Sequence, residues 1–218
     1  MFYSNPCHLY TAIGDSITLG TGTILFSPTF VDFYSDDLAS CTERGIGTRT
    51  FTENGATTQD VRRWLSTKKI PLRNTSVVTL TAGGNDLIDA AELYDKTSDV
   101  VVLQDALQRC CENLTWIIED LTASLSNQLD HYMIRVVNLY NPFPEQPFST
   151  YWIRAFNRHI DSCTRGEKVK VADVFSLFEG REAELLSEDG FHPNTFGHKV
   201  IANALVKTGI SKEVFNLN

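Results

Sequence analysis

Five short runs of apolar and β-branched residues, most of them closed by turn-forming residues, limit most strongly what this chain can fold into. Residues 9–13 run into Gly14-Asp15-Ser16, residues 48–52 into Glu53-Asn54-Gly55, and residues 76–81 into Gly83-Gly84-Asn85-Asp86; residues 132–139 and 168–174 complete the set. Between them the apolar spacing lengthens to three and four. Val61, Trp64 and Leu65 form one such stripe, and Leu103, Leu107, Cys110, Leu114, Ile117, Leu121 and Leu125 a longer one. Ile153, Phe156, Ile160 and Cys163 repeat the pattern, as do Val200, Ile201, Ala204 and Leu205. Strands alternating with helices predict an α/β fold with a five-stranded parallel sheet and crossover helices. In such a sheet a ligand site lies outside the carboxyl ends of the strands, where the loops lead into helices.

Size and charge narrow the function classes. A chain of 218 residues with 42% hydrophobic content is expected to form one domain over residues 1–218, and no repeat or linker interrupts it. Nineteen Lys and Arg against twenty-seven Asp and Glu leave a net charge of −8, which argues against nucleic acid as a partner. No apolar run reaches the roughly 20 residues needed to span a bilayer, and residues 1–16 lack the basic start and apolar core of a secretory signal. The expectation is a soluble, cytoplasmic or cell-associated protein. Cys7, Cys41, Cys110, Cys111 and Cys163 are an odd set without a C-x-x-C, so reduced thiols are expected, not disulfides or a zinc site. Asn74-Thr-Ser and Asn113-Leu-Thr match the glycosylation pattern by chance on this reading.

Several familiar sites are missing. Gly14-x5-Gly20-x-Gly22 lacks the Lys-Ser/Thr of a phosphate loop, and Gly45-Ile-Gly47 does not complete a dinucleotide fingerprint. Ser16 does not stand in G-x-S-x-G, and H-E-x-x-H is absent. What stands at the strand ends is Ser16, Gly55 and Asn85, with Asp189 and His192 ahead of the final helix. Acyl transfer needs these types: a hydroxyl nucleophile, an imidazole to take its proton, and a carboxylate to hold the imidazole's tautomer. Backbone N–H groups at Ser16 and Gly55 and the Asn85 amide are candidate oxyanion donors, each worth about 3–4 kcal/mol where such donors have been removed. No metal or cofactor is required.

Gly14-Asp15-Ser16-Ile17, Asn54-Gly55, Gly84-Asn85-Asp86 and Asp189-x-x-His192-Pro193 together resemble the four blocks of the SGNH (GDSL-type) hydrolases, in the family's order and across almost the whole chain. The resemblance implies a flavodoxin-like three-layer sandwich with Ser16 as nucleophile, His192 as base, Asp189 as third triad member, and Ser16, Gly55 and Asn85 as the oxyanion hole. Tyr10 through Gly20-Thr-Gly22 and Phe26-Ser-Pro-Thr-Phe30 resemble bacillus-type lipase/acylhydrolases, including those linked to spore germination, which adds a spore structure to the expected locations. Asn194 replaces a commoner Ser-like residue and is expected to cap or precede the last helix.

Each residue also has a plainer reading. Gly-Asp-Ser is by itself a turn and helix cap, and Gly83-Gly84-Asn85 a tight turn. It is their conjunction at one sheet edge that points to catalysis. Asp15 is expected to fix the Ser16 turn, and Asp86 to cap the next helix or brace Asn85. His198, six residues after His192, has poor spacing for a shared metal with Asp189, while His8, His131 and His159 are read as solvated or structural. The loop around Phe143, Phe148 and Trp152 either walls an acyl pocket or packs the next helix; Ile24, Leu25, Phe26 and Phe30 pose the same choice. An apolar pocket favours fatty-acyl or lysophospholipid esters, and a polar one acetyl groups on sugars or peptidoglycan, removed or transferred by the same triad. A non-catalytic binding module would be expected to have lost Ser16, Asn85 or His192. With no anchor or cationic surface, contact with lipid would be peripheral and would rest on local apolar loops.

Overall fold

The computed structural model describes residues 8–42, 45–146, 148–164 and 166–215. The strands are β1 (Leu9–Gly14), β2 (Gly47–Thr52), β3 (Thr75–Leu80), β4 (Met133–Val137) and β5 (Val169–Ala172). The helices are α1 (Ser16–Leu19), α2 (Phe30–Ala39), α3 (Thr58–Ser66), α4 (Gly84–Thr97), α5 (Val100–Ser126), α6 (Ser149–Cys163), α7 (Phe175–Phe178), α8 (Glu182–Leu185) and α9 (Thr195–Lys207). All strand pairs are parallel, in the order β2-β1-β3-β4-β5. That order places a topological switch between β1 and β3, where a crevice opens at the strands' carboxyl ends.

Both faces of the sheet are covered, so β1, β3 and β4 are buried along their whole length. Tyr10, Ala12, Val77, Met133 and Val137 share one core with residues of α2 and α9. Ile13, Val78, Leu80, Ile134 and Val136 share the other with α3, α5 and α6. The division follows from the two-residue period of a strand. β2 lies at an edge and exposes Thr48 and Thr50, whose hydroxyls suit a wet sheet margin.

Every strand expected from sequence is present, with no bound displaced by more than two residues. Among the described residues, α1, α2, α4, α7 and α8 lie outside the four helical stripes read from sequence. α2 buries Phe30, Val31, Tyr34 and Leu38, and its start carries a readable signal: Thr29 and Asp32 form a capping box. α4 begins within the Gly83-Gly84-Asn85-Asp86 turn and buries only Ala90, which leaves little core-facing periodicity to read. On α5, Leu103 and Leu107 are only half-buried, so the inward stripe is narrower than the spacing implied.

Cys41, Cys110, Cys111 and Cys163 are free, and burial raises the Cys110 thiol and pushes Cys111 up to about 11; Cys7 lies outside the described residues. Asn113 is buried, and its amide donates to the Thr58 hydroxyl at 3.2 Å. No helix among the described residues is long and apolar enough to cross a membrane.

The remaining histidines are structural. His8 Nδ1 lies 2.7 Å from the Ser76 hydroxyl, and His159 Nε2 lies 3.0 Å from the Cys111 carbonyl oxygen. His131 pairs with Glu213 at the surface, 3.5 Å apart. His198, whose spacing argues against a metal shared with Asp189, accepts a hydrogen bond at Nδ1 from the Phe30 N–H (3.2 Å) and stacks on the Phe30 ring. It thereby ties α9 to the start of α2.

Burial pushes His198 down to about 4 from its ordinary 6.5. Its folded value lies below its unfolded value, so its contribution to stability is complete above pH 6.5 and is lost as pH falls toward 4. Between pH 7 and pH 4.5 this costs about 2–3 kcal/mol. Denaturant unfolding at both pH values should show a smaller loss in His198→Asn, which keeps an acceptor for Phe30 but does not titrate.

Candidate active site

The turn after β1 is set by a hydroxyl. Gly14 approaches β3 so closely that a Cβ there would lie 2.0 Å from Thr81 Oγ1. That oxygen accepts from the Asp15 N–H (3.3 Å) and donates to Asp15 Oδ1 (2.9 Å), and the Thr18 hydroxyl lies 2.7 Å from it. Asp15 Oδ1 also accepts from the Ile17 N–H at 3.0 Å, which caps α1. Burial raises the Asp15 carboxyl, and these hydrogen bonds partly offset the effect. Ser16 is thus the first residue of α1, only 3% exposed, and its N–H has no acceptor within the helix.

The segment ahead of α9 brings Asp189 and His192 to this serine. His192 Nδ1 lies 2.7 Å from Asp189 Oδ2, and Nε2 lies 3.0 Å from Ser16 Oγ, across 176 residues of chain. Asp189 Oδ1 accepts three further hydrogen bonds, from the Ser187 hydroxyl (2.7 Å) and the N–H groups of Phe191 (2.8 Å) and His192 (2.9 Å). Burial pushes the carboxyl up, but hydrogen bonds from His192, Ser187 and the backbone outweigh it and hold Asp189 well below the usual carboxylate range. An ionised Asp189 makes Nδ1 the protonated nitrogen and leaves Nε2 to accept from Ser16.

Three residues outside the expected triad and oxyanion hole hold this arrangement. The Tyr140 hydroxyl donates to the Phe191 carbonyl at 2.8 Å, one residue before the histidine. Gly22 has φ +94°, and a Cβ there would lie 2.6 Å from His192 Cβ, so the loop after α1 closes against the imidazole's own backbone. Asn194 caps α9 by accepting from the Gly197 N–H (3.0 Å), as expected, and its amide also donates to the carbonyls of Glu184 and Leu186. The readable signal for Gly22 was Gly20-x-Gly22, set aside as an incomplete phosphate cradle.

Asn85 opens α4 on the crevice's other side. Its Nδ2 donates to the Ala56 carbonyl at 2.8 Å, linking it to the turn that holds Gly55, whose φ is +77°. One amide hydrogen is used there, leaving the other. Asp86 does not cap its own helix. Its carboxylate accepts from the Thr58 N–H (2.8 Å) and hydroxyl, clamping the start of α3 to that of α4.

A cavity of about 250 Å³ opens beside Ser16. Gly84, Ile88, Ala91 and Asp95 line it at helical spacing, so it follows one face of α4 away from Asn85; Leu103 of α5 and Ile153 of α6 face it too. Phe143 and Trp152 also line it, and Phe143 stacks on Phe191 with ring centroids 5.8 Å apart. Phe148, grouped with them from sequence, does not: it has φ +67° at the start of α6 and is 68% exposed. Phe30 is buried in the core, while Ile24, Leu25 and Phe26 point into solvent.

With this geometry in hand, known proteins provide a comparison. Residues 12–200 match the model of the GDSL-like lipase/acylhydrolase family. The chain is 33% identical over 205 residues to the spore germination lipase LipC of Bacillus licheniformis, covering 93% of this chain and 97% of that one. The crystal structure of the lipase Lip_vut3 from a goat rumen metagenome superposes with a TM-score of 0.87 at 33% identity, covering 93% and 97% of the two chains. A catalytic mutant of the acetylxylan esterase Axe2 from Geobacillus stearothermophilus shares the fold, with a TM-score of 0.70 at 17% identity over 97% and 98% of the two chains. The sheet and helices described above are those of the SGNH hydrolase fold, and the chain belongs to the GDSL-like lipase/acylhydrolase family of serine ester hydrolases.

Proposed function

We propose that the protein hydrolyses medium-chain acyl esters through an acyl-enzyme on Ser16. The reading is carried by the continuous hydrogen-bonded line from Ser16 Oγ through His192 to Asp189 at one end of an apolar cavity. Ser16 Oγ attacks the ester carbonyl while His192 Nε2 takes its proton. Charge builds on the carbonyl oxygen, where the N–H groups of Ser16 and Gly55 and the free amide hydrogen of Asn85 are the donors. Collapse breaks the ester C–O bond, and His192 returns the proton to the departing alcohol. Water then attacks the acyl-enzyme by the same route and releases the acid.

The cavity favours a chain over an acetyl group. From Asn85 to Asp95 is ten residues of helix, about 15 Å at the α-helical rise, a length that suits an extended acyl chain of roughly twelve carbons. Ile88, Ala91, Leu103 and Trp152 are apolar walls for it. Similarity to a protein named a spore germination lipase supports a spore-associated role for this chain as well.

A fluorophosphonate probe should label the wild type and not Ser16→Ala; a folded wild type that takes no label would sink the serine mechanism. Asp189→Asn should lower kcat by about 10⁴, since an amide does not hold the required tautomer. Because hydrogen bonds hold Asp189 ionised well below the usual carboxylate range, loss of its charge should not limit activity on the acid side. Across a series of ester chain lengths, Ala91→Trp should lower kcat/KM for a dodecanoyl ester relative to an acetyl ester by at least about tenfold. An unchanged ratio would place the acyl chain elsewhere.

A further inference from the structure

The most exposed large apolar side chains have a common location. Among the described residues, Ile24, Leu25, Phe26, Phe148, Tyr151 and Phe196 are each at least 60% exposed. They lie after β1, after β4 and just beyond His192, all in segments at the carboxyl edge of the sheet where the acyl cavity opens. Three of them are consecutive: Ile24, Leu25 and Phe26 are 77%, 79% and 97% exposed. A turn between the Ser27 N–H and the Ile24 carbonyl (2.8 Å) holds this tip, and Phe26 has φ +66°, uncommon for an aromatic residue. The tip is joined at one end to His192 through the close approach of Gly22, and at the other to α9 through Phe30 against His198.

Charge is sparse on the same surface. Residues 16–31 contain no Asp, Glu, Lys or Arg, in a chain of which 21% is charged. Residues 139–153 contain only Glu145, and residues 190–198 none. An apolar, sparsely charged edge, with Glu145 and Asp189 as its acidic groups, on a protein of net charge −8 is matched to a surface that offers hydrocarbon without a net negative field. Resting on the reading that acyl-chain esters are the substrate, we infer that Ile24-Leu25-Phe26 docks the enzyme onto zwitterionic phospholipid surfaces, presenting the cavity mouth to acyl esters held there. The other exposed aromatics at this edge would then meet the same interface.

The test uses phosphatidylcholine vesicles and Ser16→Ala protein, so that no lipid is consumed. In flotation, this protein should bind, and adding Leu25→Ser with Phe26→Ser should weaken binding at least about tenfold. Equal flotation of the two proteins, or none by either, overturns the proposal. With Ser16 intact, the double substitution should leave kcat/KM for a monomeric butyryl ester within about twofold, since neither residue lines the cavity. A parallel loss on that soluble ester would instead make the tip part of the acyl site. Sedimentation of the wild type as a dimer that the double substitution dissociates would make it a contact between copies, also overturning docking. A wild type that cleaves no ester would overturn the catalytic reading alone, because vesicle binding is measured on the inactive protein.

Discussion

The Thr81 hydroxyl sits where β1 and β3 part, and the geometry of the catalytic edge depends on it. It bonds to both the N–H and the carboxylate of Asp15, and the Thr18 side chain closes on it from the next turn. This exchange satisfies a buried carboxylate that burial would otherwise penalise, and it fixes the chain's exit from the sheet. Ser16 therefore emerges at the switch point with its backbone already in a helix start. The approach is close enough that only glycine is tolerated at position 14, so the placement of Ser16 and sheet packing are one constraint.

The Asp189–His192 pair is held by a different principle. Asp189 and His192 lie three residues apart, and most of the bonds that orient them come from their own turn: one carboxylate oxygen gathers three donors while the other meets the imidazole. Such a turn keeps its shape wherever it is placed. Its placement comes from outside, through the Tyr140 hydroxyl, the Gly22 contact and the Asn194 amide, which carry it to within 3.0 Å of Ser16. The hydrogen-bonded line from Ser16 to Asp189 joins two locally stable turns, each anchored to a different part of the sheet edge.

Much of this was legible before any coordinates. The strands were readable because burial on both faces makes them short, continuous apolar runs, and the site residues because each stands in a turn with its own chemistry. α4 was not readable, since its apolar face lines a cavity and gives only Ala90 to the core. Leu103 was read as core and faces the cavity, Phe30 was a candidate pocket wall and is core, and Phe148 was grouped with the pocket but is exposed. Apolar spacing reports that a face avoids water, not which neighbour removes the water.

What the sequence by itself determined is therefore the parallel α/β architecture and the four turns that carry Ser16, Gly55, Asn85 and the Asp189–His192 pair, because period and turn chemistry act over a few residues. Only the tertiary structure decided where the cavity beside Ser16 runs, which aromatics line it, and that His198 stacks on Phe30. It also decided that Tyr140 and Gly22, 51 and 170 residues away in the chain, hold the histidine turn. Those outcomes depend on which surfaces meet across the sheet edge, and a local pattern holds no record of that meeting.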